Sequence, residues 1–173
     1  MDRLLRVSLA GSMLLVATWL AGAESFPTVL ERYCNSRYGF CVDYPEVLLN
    51  QKHISANNDG IAVLSSDGNF QLRVYGYFNV MGWTVNDEYV DFLEVVQSNH
   101  PGAEVKELEK TFKDDQFEVL LLVGKKLHYE RTVLKGNTFI SMTLEVNRRG
   151  NLSFEDSQVQ AKQLLNEIKL SLD

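Results

Sequence analysis

The 173-residue sequence has few of the side chains that metal and redox chemistry require, with only two cysteines and three histidines. His53, His100 and His128 show no i, i+4 pairing and no clustering with carboxylates, so we expect each to be a surface residue. The spacing of Cys34 and Cys41 excludes a C-x-x-C redox pair, and tetrahedral zinc needs four ligands. The sequence therefore predicts no metal site and no cofactor.

The motifs of the common catalytic classes are also missing. There is no Gly-x-Ser-x-Gly nucleophile elbow, and no glycine-rich loop leads into Lys-Ser or Lys-Thr. Asp114–Asp115 lie in a predicted turn, where successive carboxylates point apart and cannot share acid–base work. Asn57–Gly60 lacks the alternating oxygen ligands and the glutamate of a calcium loop, and indicates a turn. We therefore expect no enzyme; an enzyme built from scattered residues is the third hypothesis.

The amino-terminal segment has the pattern of a secretory signal peptide. Arg3 and Arg6 precede an uncharged, apolar stretch from Val7 to Leu20, and small residues follow at Ala21–Ala23. The apolar stretch is short for a hydrocarbon layer of roughly 30 Å. We expect cleavage before Glu24, which makes the protein periplasmic or secreted, without stable membrane insertion. An uncleaved membrane anchor is the alternative.

The remaining residues, 24–173, have the length of one domain and an acidic composition. Loss of Asp2, Arg3 and Arg6 with the signal peptide takes the formal charge from −6 to −7. Nucleic acids and anionic membranes offer no counter-charge to such a surface, so we expect neither as a partner.

The two cysteines are predicted to form a disulfide. In an oxidising compartment, an isolated pair as close as Cys34 and Cys41 is typical of a structural bridge, and two free thiols are the alternative. So small a ring contributes about 2 to 3 kcal/mol to stability in the loop-entropy model. We expect it to fix the start of the first strand.

Alternating and helical periodicities predict a mixed domain over about residues 28–173. Strands are expected at 38–44, 61–66 and from 70 to 75, then a helix at 84–100, strands at 104–112, 116–123, 126–134 and 138–146, and a helix from 153 to 172. Short links make the last four strands an antiparallel meander. The continuously apolar Val119–Val123 indicates a central strand covered on both faces. The fold class is α+β, an antiparallel sheet flanked by helices in an α/β/α sandwich.

Aromatic and glycine motifs mark the first three predicted strands. They are Tyr38-Gly39-Phe40 leading to Asp43-Tyr44-Pro45, then Asn58-Asp59-Gly60, and Ser65-Ser66-Asp67-Gly68 leading into Leu72-Arg73-Val74-Tyr75-Gly76. With this order of elements, residues 38–171 resemble the family of the photosystem II extrinsic protein PsbP, the nuclear-import factor Mog and bacterial envelope proteins of the DcrB type. The resemblance implies a sheet between helices and non-catalytic work, such as binding another protein or supporting an assembly.

One candidate binding surface emerges from the third strand. Arg73, Tyr75 and Tyr77 alternate onto one face, and Trp83 follows closely; Tyr, Trp and Arg are the residues that anchor protein interfaces. The alternative interpretation is that a helix covers this face and the aromatic side chains belong to the core.

The leading hypothesis is an exported binding or assembly-accessory module of the cell envelope that contacts a protein partner. That partner is an envelope protein or an incoming secreted protein, and an immunity protein is one version. The alternative is a periplasmic carrier or sensor of a small apolar ligand, held between the sheet and the helix that spans residues 86–100.

Overall fold

The computed structural model describes residues 29–147 and 153–172. The predicted signal peptide, residues 1–23, lies outside the described residues. Within the described ranges, neither helix is long and apolar enough to cross a membrane.

The described chain contains ten strands and two helices, which we number in chain order. They are β1 Leu30–Asn35, β2 Phe40–Pro45, β3 Gln51–Ile54, β4 Gly60–Leu64, β5 Phe70–Phe78, α1 Val85–Asn99, β6 Val105–Lys113, β7 Gln116–Val123, β8 Lys126–Lys135, β9 Thr138–Asn147, α2 Phe154–Glu167 and β10 Lys169–Leu172.

The strands form two antiparallel sheets. The larger sheet has the order β3-β4-β5-β9-β8-β7-β6, and the smaller has the order β1-β2-β10. Helix α1 packs on one face of the larger sheet against β7 and β8, whereas α2 packs against β8, β9 and β2. The predicted α+β fold, with an antiparallel sheet between flanking helices, is confirmed. The helical layer on the α2 side also contains the small sheet.

Strand β7 shows how the apolar pattern builds the two layers. Phe117, Val119 and Leu121 pack in one apolar cluster with α1, while Leu120 and Leu122 pack in the main core on the opposite face. The expectation of burial on both faces was correct. The strand is internal to the sheet, as expected, with β8 and the edge strand β6 as its neighbours, while β9 occupies the middle of the sheet.

Three strands, β1, β3 and β10, were not predicted. All four side chains of β3 are exposed. In β1, exposed residues alternate with Glu31, Tyr33 and Asn35, and only Tyr33 of these three is apolar, so neither strand carries an apolar alternation.

The helix predicted to reach residue 172 ends at Glu167 instead. Ile168 adopts an extended backbone, and Leu170 and Leu172 then pack on the main core from β10. This short strand pairs with β2 and supplies its second neighbour.

The predicted disulfide is present and closes the first hairpin. Cys34 on β1 lies opposite Cys41 on β2, and the two are bonded. The buried Asn35 accepts hydrogen bonds through its Oδ1 atom from the backbone of Arg37 and Tyr38, at 3.0 and 3.2 Å. These bonds make residues 36–39 a turn, which is why the strand begins at Phe40 rather than at residue 38.

Replacing both cysteines with serine should lower the free energy of unfolding by about 2 to 3 kcal/mol, because the unfolded chain regains the freedom of the closed ring. Urea denaturation of Cys34→Ser, Cys41→Ser against the oxidised protein measures this change. Reducing agent should destabilise the native protein by a similar amount and leave the variant unaffected. Equal stability of the oxidised protein and the variant would contradict the expectation.

Gly60 is expected to resist substitution, because a Cβ atom there would lie 2.1 Å from the backbone oxygen of Val74 and 2.6 Å from Cα of Tyr75. Gly60→Ala should therefore cost about 2 to 3 kcal/mol of stability, since the backbones of β4 and β5 must separate. Gly136 is the control position. A Cβ atom there would meet no other atom within 4 Å, and asparagine tolerates the positive φ of 60° at this residue. Thermal unfolding in which Gly60→Ala matches Gly136→Asn would contradict this account.

Candidate functional site

Polar side chains meet on the face of the larger sheet that carries α1, which we call the α1 face. The strand register places them in rows across β5, β9 and β8. The rows are Tyr75, Ser141 and Thr132; then Arg73, Thr143 and Glu130; then Gln71, Glu145 and His128. Since side chains two residues apart share a face of a strand, the spacing in each strand holds the three rows together.

The polar rows lie beside the apolar part of the same face. On β7, Phe117 and Val119 continue two of these rows, and they pack beneath α1 with Val85 and Val96. Helix α1 packs mainly against β7 and β8, and much less against β3, β4 and β5. The α1 face is therefore apolar on β7, under the helix, and carries the polar rows on β8, β9 and β5, where His128 and Glu130 are still buried.

Glu130 is the most deeply buried charged residue of the rows, at 2% exposure. Its Oε1 accepts hydrogen bonds from Thr132, at 3.0 Å, and from Ser141, while its Oε2 accepts from Thr143 at 2.7 Å. Three hydroxyl donors on neighbouring strands thus stabilise a carboxylate that would otherwise be costly to bury.

His128 is buried at 6% exposure, so the expectation of a surface histidine was wrong for this residue. Its position in β8 puts it on the same face as Glu130, and Phe92 of α1 lies over it with 5.5 Å between ring centroids. His128 Nε2 lies 3.9 Å from Glu130 Oε2 and has no hydrogen-bond partner among the described residues. Its Nδ1 lies 3.8 Å from Glu145 Oε1.

Glu130 and Glu145, the two glutamates of this cluster, differ in the cationic side chains that lie near them. Glu145 is paired with Arg73, whose Nη2 donates to Oε1 at 2.6 Å, and with Lys126, whose Nζ lies 3.8 Å from Oε2. Within the described residues, Glu130 has no Lys or Arg nitrogen within 4.0 Å, and only His128 comes that close. Its charge is therefore stabilised by hydroxyl dipoles rather than by a full positive charge.

Two hollows open on this face. A cleft of about 270 Å³ between α1 and the sheet is lined by Arg73, Tyr75, Phe92, His128, Glu130 and Glu145, together with residues of the second half of α1. An outer hollow of about 370 Å³ lies over β3, β4 and β5. Arg73 and Tyr75 line both, so the hollows adjoin at these two side chains.

The four residues of the predicted surface divide into two pairs. Arg73 and Tyr75 lie at the hollows, and Tyr75 is 38% exposed. Tyr77 and Trp83 are partly buried against the apolar cluster under α1. Tyr75 and Tyr77 stack with ring centroids 5.8 Å apart, which joins the pairs.

Burial, and then the carboxylates nearby, raise the pKa of two tyrosines on the α1 face. Burial, followed by the charge of Glu130, raises the pKa of Tyr75 to about 12. Burial raises the pKa of Tyr77 well above its usual range, and the hydrogen bond that it donates to the carboxylate of Glu88 acts in the same direction. Both hydroxyls therefore stay protonated and available as donors at neutral pH.

The connection from β5 to α1 carries an ordered apolar turn, residues 79–83. Asn79 closes it, since its side chain donates to the Trp83 carbonyl and accepts from the Trp83 amide, both at 2.8 Å. The backbone amide of Asn79 in turn donates a hydrogen bond to the backbone carbonyl of Asn137 at 2.9 Å. Val80 and Met81 project from this turn at 83% and 70% exposure.

The geometry of the polar rows does not assemble an activated nucleophile. Ser141 and Thr143 donate their hydroxyl hydrogens to Glu130, and neither is hydrogen-bonded to His128. Acyl transfer by a hydroxyl needs the imidazole within hydrogen-bond reach of that hydroxyl. Among the described residues, no three His, Cys, Asp or Glu side chains come together as a metal site.

A larger hollow, about 410 Å³, lies on the opposite face between β6–β8 and α2. Its cations are paired: Lys162 Nζ lies 2.6 Å from Glu109 Oε1, and Arg131 Nε lies 3.6 Å from Glu118 Oε1. We therefore place the candidate site on the α1 face, where a buried histidine nitrogen and an uncompensated carboxylate face the cleft.

Comparison with solved structures defines the fold class. The chain is similar to the cyanobacterial PsbP (CyanoP) of Synechocystis sp. PCC 6803, with a TM-score of 0.57 and 13% identity, covering 93% of this chain and 98% of that one. It is also similar to the Ran-binding protein Mog1p of Saccharomyces cerevisiae, with a TM-score of 0.54 and 8% identity, covering 83% and 96%. The chain thus has the PsbP/Mog-like fold that the sequence motifs indicated. Its sequence matches no protein-family model and no curated protein.

Sequence reasoning identified Arg73 and Tyr75 but missed the buried members of the cluster. Glu130 and Thr132 on β8, and Ser141 and Thr143 on β9, are polar residues at alternating positions. That alternation was the available signal, but it equally fits strands with one face exposed to water. Only the strand register shows that their side chains meet.

The pKa of Glu88 should make stability depend on pH. Burial raises this pKa above 4.5, and the hydrogen bond from Tyr77 opposes the rise. A carboxyl whose pKa rises on folding contributes stability that is present below the unfolded pKa and lost as pH increases through the folded pKa. Glu88→Gln keeps an acceptor for Tyr77 but cannot ionise. The variant should therefore become more stable relative to the native protein between about pH 4 and pH 7.

Urea denaturation at the two pH values measures this difference. Glu94→Gln, at an exposed position on the same helix, is the matched control and should show no such pH dependence. A stability difference for Glu88→Gln that is the same at both pH values would contradict the assignment.

Proposed function

We propose that this chain is an exported, non-catalytic binding or assembly-accessory module of the cell envelope, and that it contacts a protein partner through the α1 face. An immunity-type protein that meets an incoming secreted protein is one specific form of this function. The observation that carries the proposal is the uncovered part of the α1 face, which adjoins an ordered turn with two exposed apolar side chains.

The composition of this surface supports contact with a protein. Tyr75 and Arg73 lie at the junction of the two hollows, and Ile54 of β3 lines the outer one. Exposed aromatic and arginine side chains beside concave surface are typical anchors of protein interfaces. A shallow surface with mixed polar and apolar groups suits a protein better than a small apolar molecule.

The apolar turn gives a second point of contact. Val80 and Met81 are exposed although the hydrogen bonds of Asn79 hold the turn in one conformation. A preordered apolar projection loses little conformational entropy on binding, which favours its use as an anchor. Because the turn leads from β5 directly into α1, it lies at the edge of the α1 face.

The fold supports a protein-binding role, and the disulfide supports an exported location. The structural neighbour Mog1p is named a Ran-binding protein, so this fold can carry a protein-binding surface. The bonded pair Cys34 and Cys41 fits an oxidising compartment, which agrees with the predicted signal peptide. We place the protein in the periplasm or outside the cell.

The alternative function, a carrier of a small ligand between the sheet and α1, is favoured by the cleft that lies there. The cleft lining changes the expected chemistry, however. It carries Arg73, His128, Glu130 and Glu145, and these side chains favour a polar ligand over the apolar one that the sequence suggested.

Affinity capture tests the proposed function. Purified protein with a carboxyl-terminal tag should retain one stoichiometric partner from an envelope extract of its host. Two variants test the surface: the double variant Val80→Ser, Met81→Ser and the single variant Tyr75→Ala. Each should reduce the amount of retained partner by about tenfold or more, the loss typical of removing an interface anchor.

The matched control is Val159→Ser on α2. Val159 is 55% exposed on the other side of the sheet, so its replacement removes a similar apolar group away from the proposed surface. Capture that is unchanged by the α1-face variants but lost with Val159→Ser would overturn the placement of the surface. An empty capture with the native protein would overturn the function itself.

A further inference from the structure

We propose that the cleft between α1 and the sheet is a binding site for a primary ammonium group, which would lie between Glu130 Oε2 and His128 Nε2. The ligand class is a small alkylamine or the side-chain amine of a lysine. This site is separate from the apolar turn, although Arg73 and Tyr75 belong both to its cleft and to the proposed protein-binding surface.

Each of the two atoms can accept a hydrogen bond that the described residues do not supply. A carboxylate oxygen can accept two hydrogen bonds, and Glu130 Oε2 accepts one among the described residues, from Thr143 at 2.7 Å. His128 Nε2 is buried without a hydrogen-bond partner among those residues, while Nδ1 lies 3.8 Å from the carboxylate of Glu145. The tautomer that carries its hydrogen on Nδ1, toward the carboxylate of Glu145, presents Nε2 as an acceptor to the cleft, and it is the form that this site would use.

The distance between the two acceptors fits one shared donor. Glu130 Oε2 and His128 Nε2 are 3.9 Å apart, too far for a direct hydrogen bond. A single nitrogen at about 2.9 Å from each atom spans that gap at an ordinary hydrogen-bond length. A primary ammonium has three donors and no acceptor, so it can serve both atoms at once.

Charge selects an ammonium over a neutral donor. Glu130 is buried and has no Lys or Arg nitrogen within 4.0 Å in the described chain, whereas Glu145 has both Arg73 and Lys126. A buried carboxylate gains strongly from a cation, because the surrounding protein screens the attraction less than water does. An anionic ligand would meet the opposite effect from Glu130.

The walls suit a short carbon chain attached to the ammonium. Tyr75 and Phe92 line the cleft, with Val95 and Val96 of α1 beside them. The volume of about 270 Å³ is several times the roughly 30 Å³ that one water molecule occupies in the liquid. A small aliphatic amine therefore fits, and aromatic walls add cation–π attraction.

Proton and carbon NMR of the histidine rings tests the site in the protein expressed from its full sequence and purified. The probes are n-butylammonium and Nα-acetyl-lysine amide. Either probe should shift the ring signals of His128 in a saturable manner. n-Butanol and n-butyrate, which keep the chain but lose or reverse the charge, should not. Tighter binding of the lysine derivative would identify the ligand as a protein side chain, and tighter binding of n-butylammonium would identify a free amine.

Variants locate the binding at the named atoms. Glu130→Gln should weaken binding by about tenfold or more, because it removes the buried charge and keeps the shape. Glu118→Gln removes a carboxylate outside the cleft and is the matched control, with unchanged binding expected. If Glu130→Gln fails to fold, Tyr75→Ala at the cleft wall replaces it and should weaken binding too.

Two results would overturn the proposal: no saturable shift at His128 with either amine in the native protein, or equal shifts with n-butanol. The second result would mean that an uncharged donor, such as buried water, satisfies the two atoms. Neither result would bear on the capture of a partner through Val80 and Met81.

Discussion

The α1 face has to be covered by a single helix of 15 residues, although the sheet beneath it has seven strands. Helix α1 packs over β7, where Phe117 and Leu121 are apolar, and over β8, where the same face already carries His128 and Glu130. On β9 and β5 the face stays polar, with Ser141, Thr143 and Arg73. The limited cover thus explains the cleft, which lies beside the buried, hydrogen-bonded cluster around Glu130. The other face differs, because α2 and the small sheet together cover it and share the larger apolar cluster with it.

The first part of the described chain fixes the small sheet against the large one. The disulfide between Cys34 and Cys41 holds the β1–β2 hairpin, and the buried Asn35 at its turn donates from Nδ2 to the Asn58 carbonyl at 3.0 Å. Gly60 then allows β4 to approach β5 closely. These segments carry the motifs Tyr38-Gly39-Phe40 and Asn58-Asp59-Gly60, so in this chain those motifs serve the packing of the scaffold.

The sequence predicted the scaffold well and the site only in part, and the reason is physical. The continuously apolar run Val119–Val123 marks β7 because that strand is strongly buried, and the capping box of Thr84 and Asp87 marks the start of α1. Strand β3 is exposed along its whole length and leaves no apolar pattern. Strand β10 has only four residues, so the alternation of Leu170 and Leu172 is too short to distinguish a strand from the end of a helix. Glu130 acquires its environment from partners 11 and 13 residues away, across a register that a single sequence does not reveal.

The central claim is that the partly covered α1 face is the functional surface of this protein. Hydrogen–deuterium exchange of the captured complex, compared with the free protein, tests it most directly. We predict slower exchange in β3, in β4 and from residue 73 through the apolar turn into α1, with no change in α2 or in the small sheet. Protection confined to α2, to β6 or to the small sheet, with the α1 face unchanged, would contradict the account.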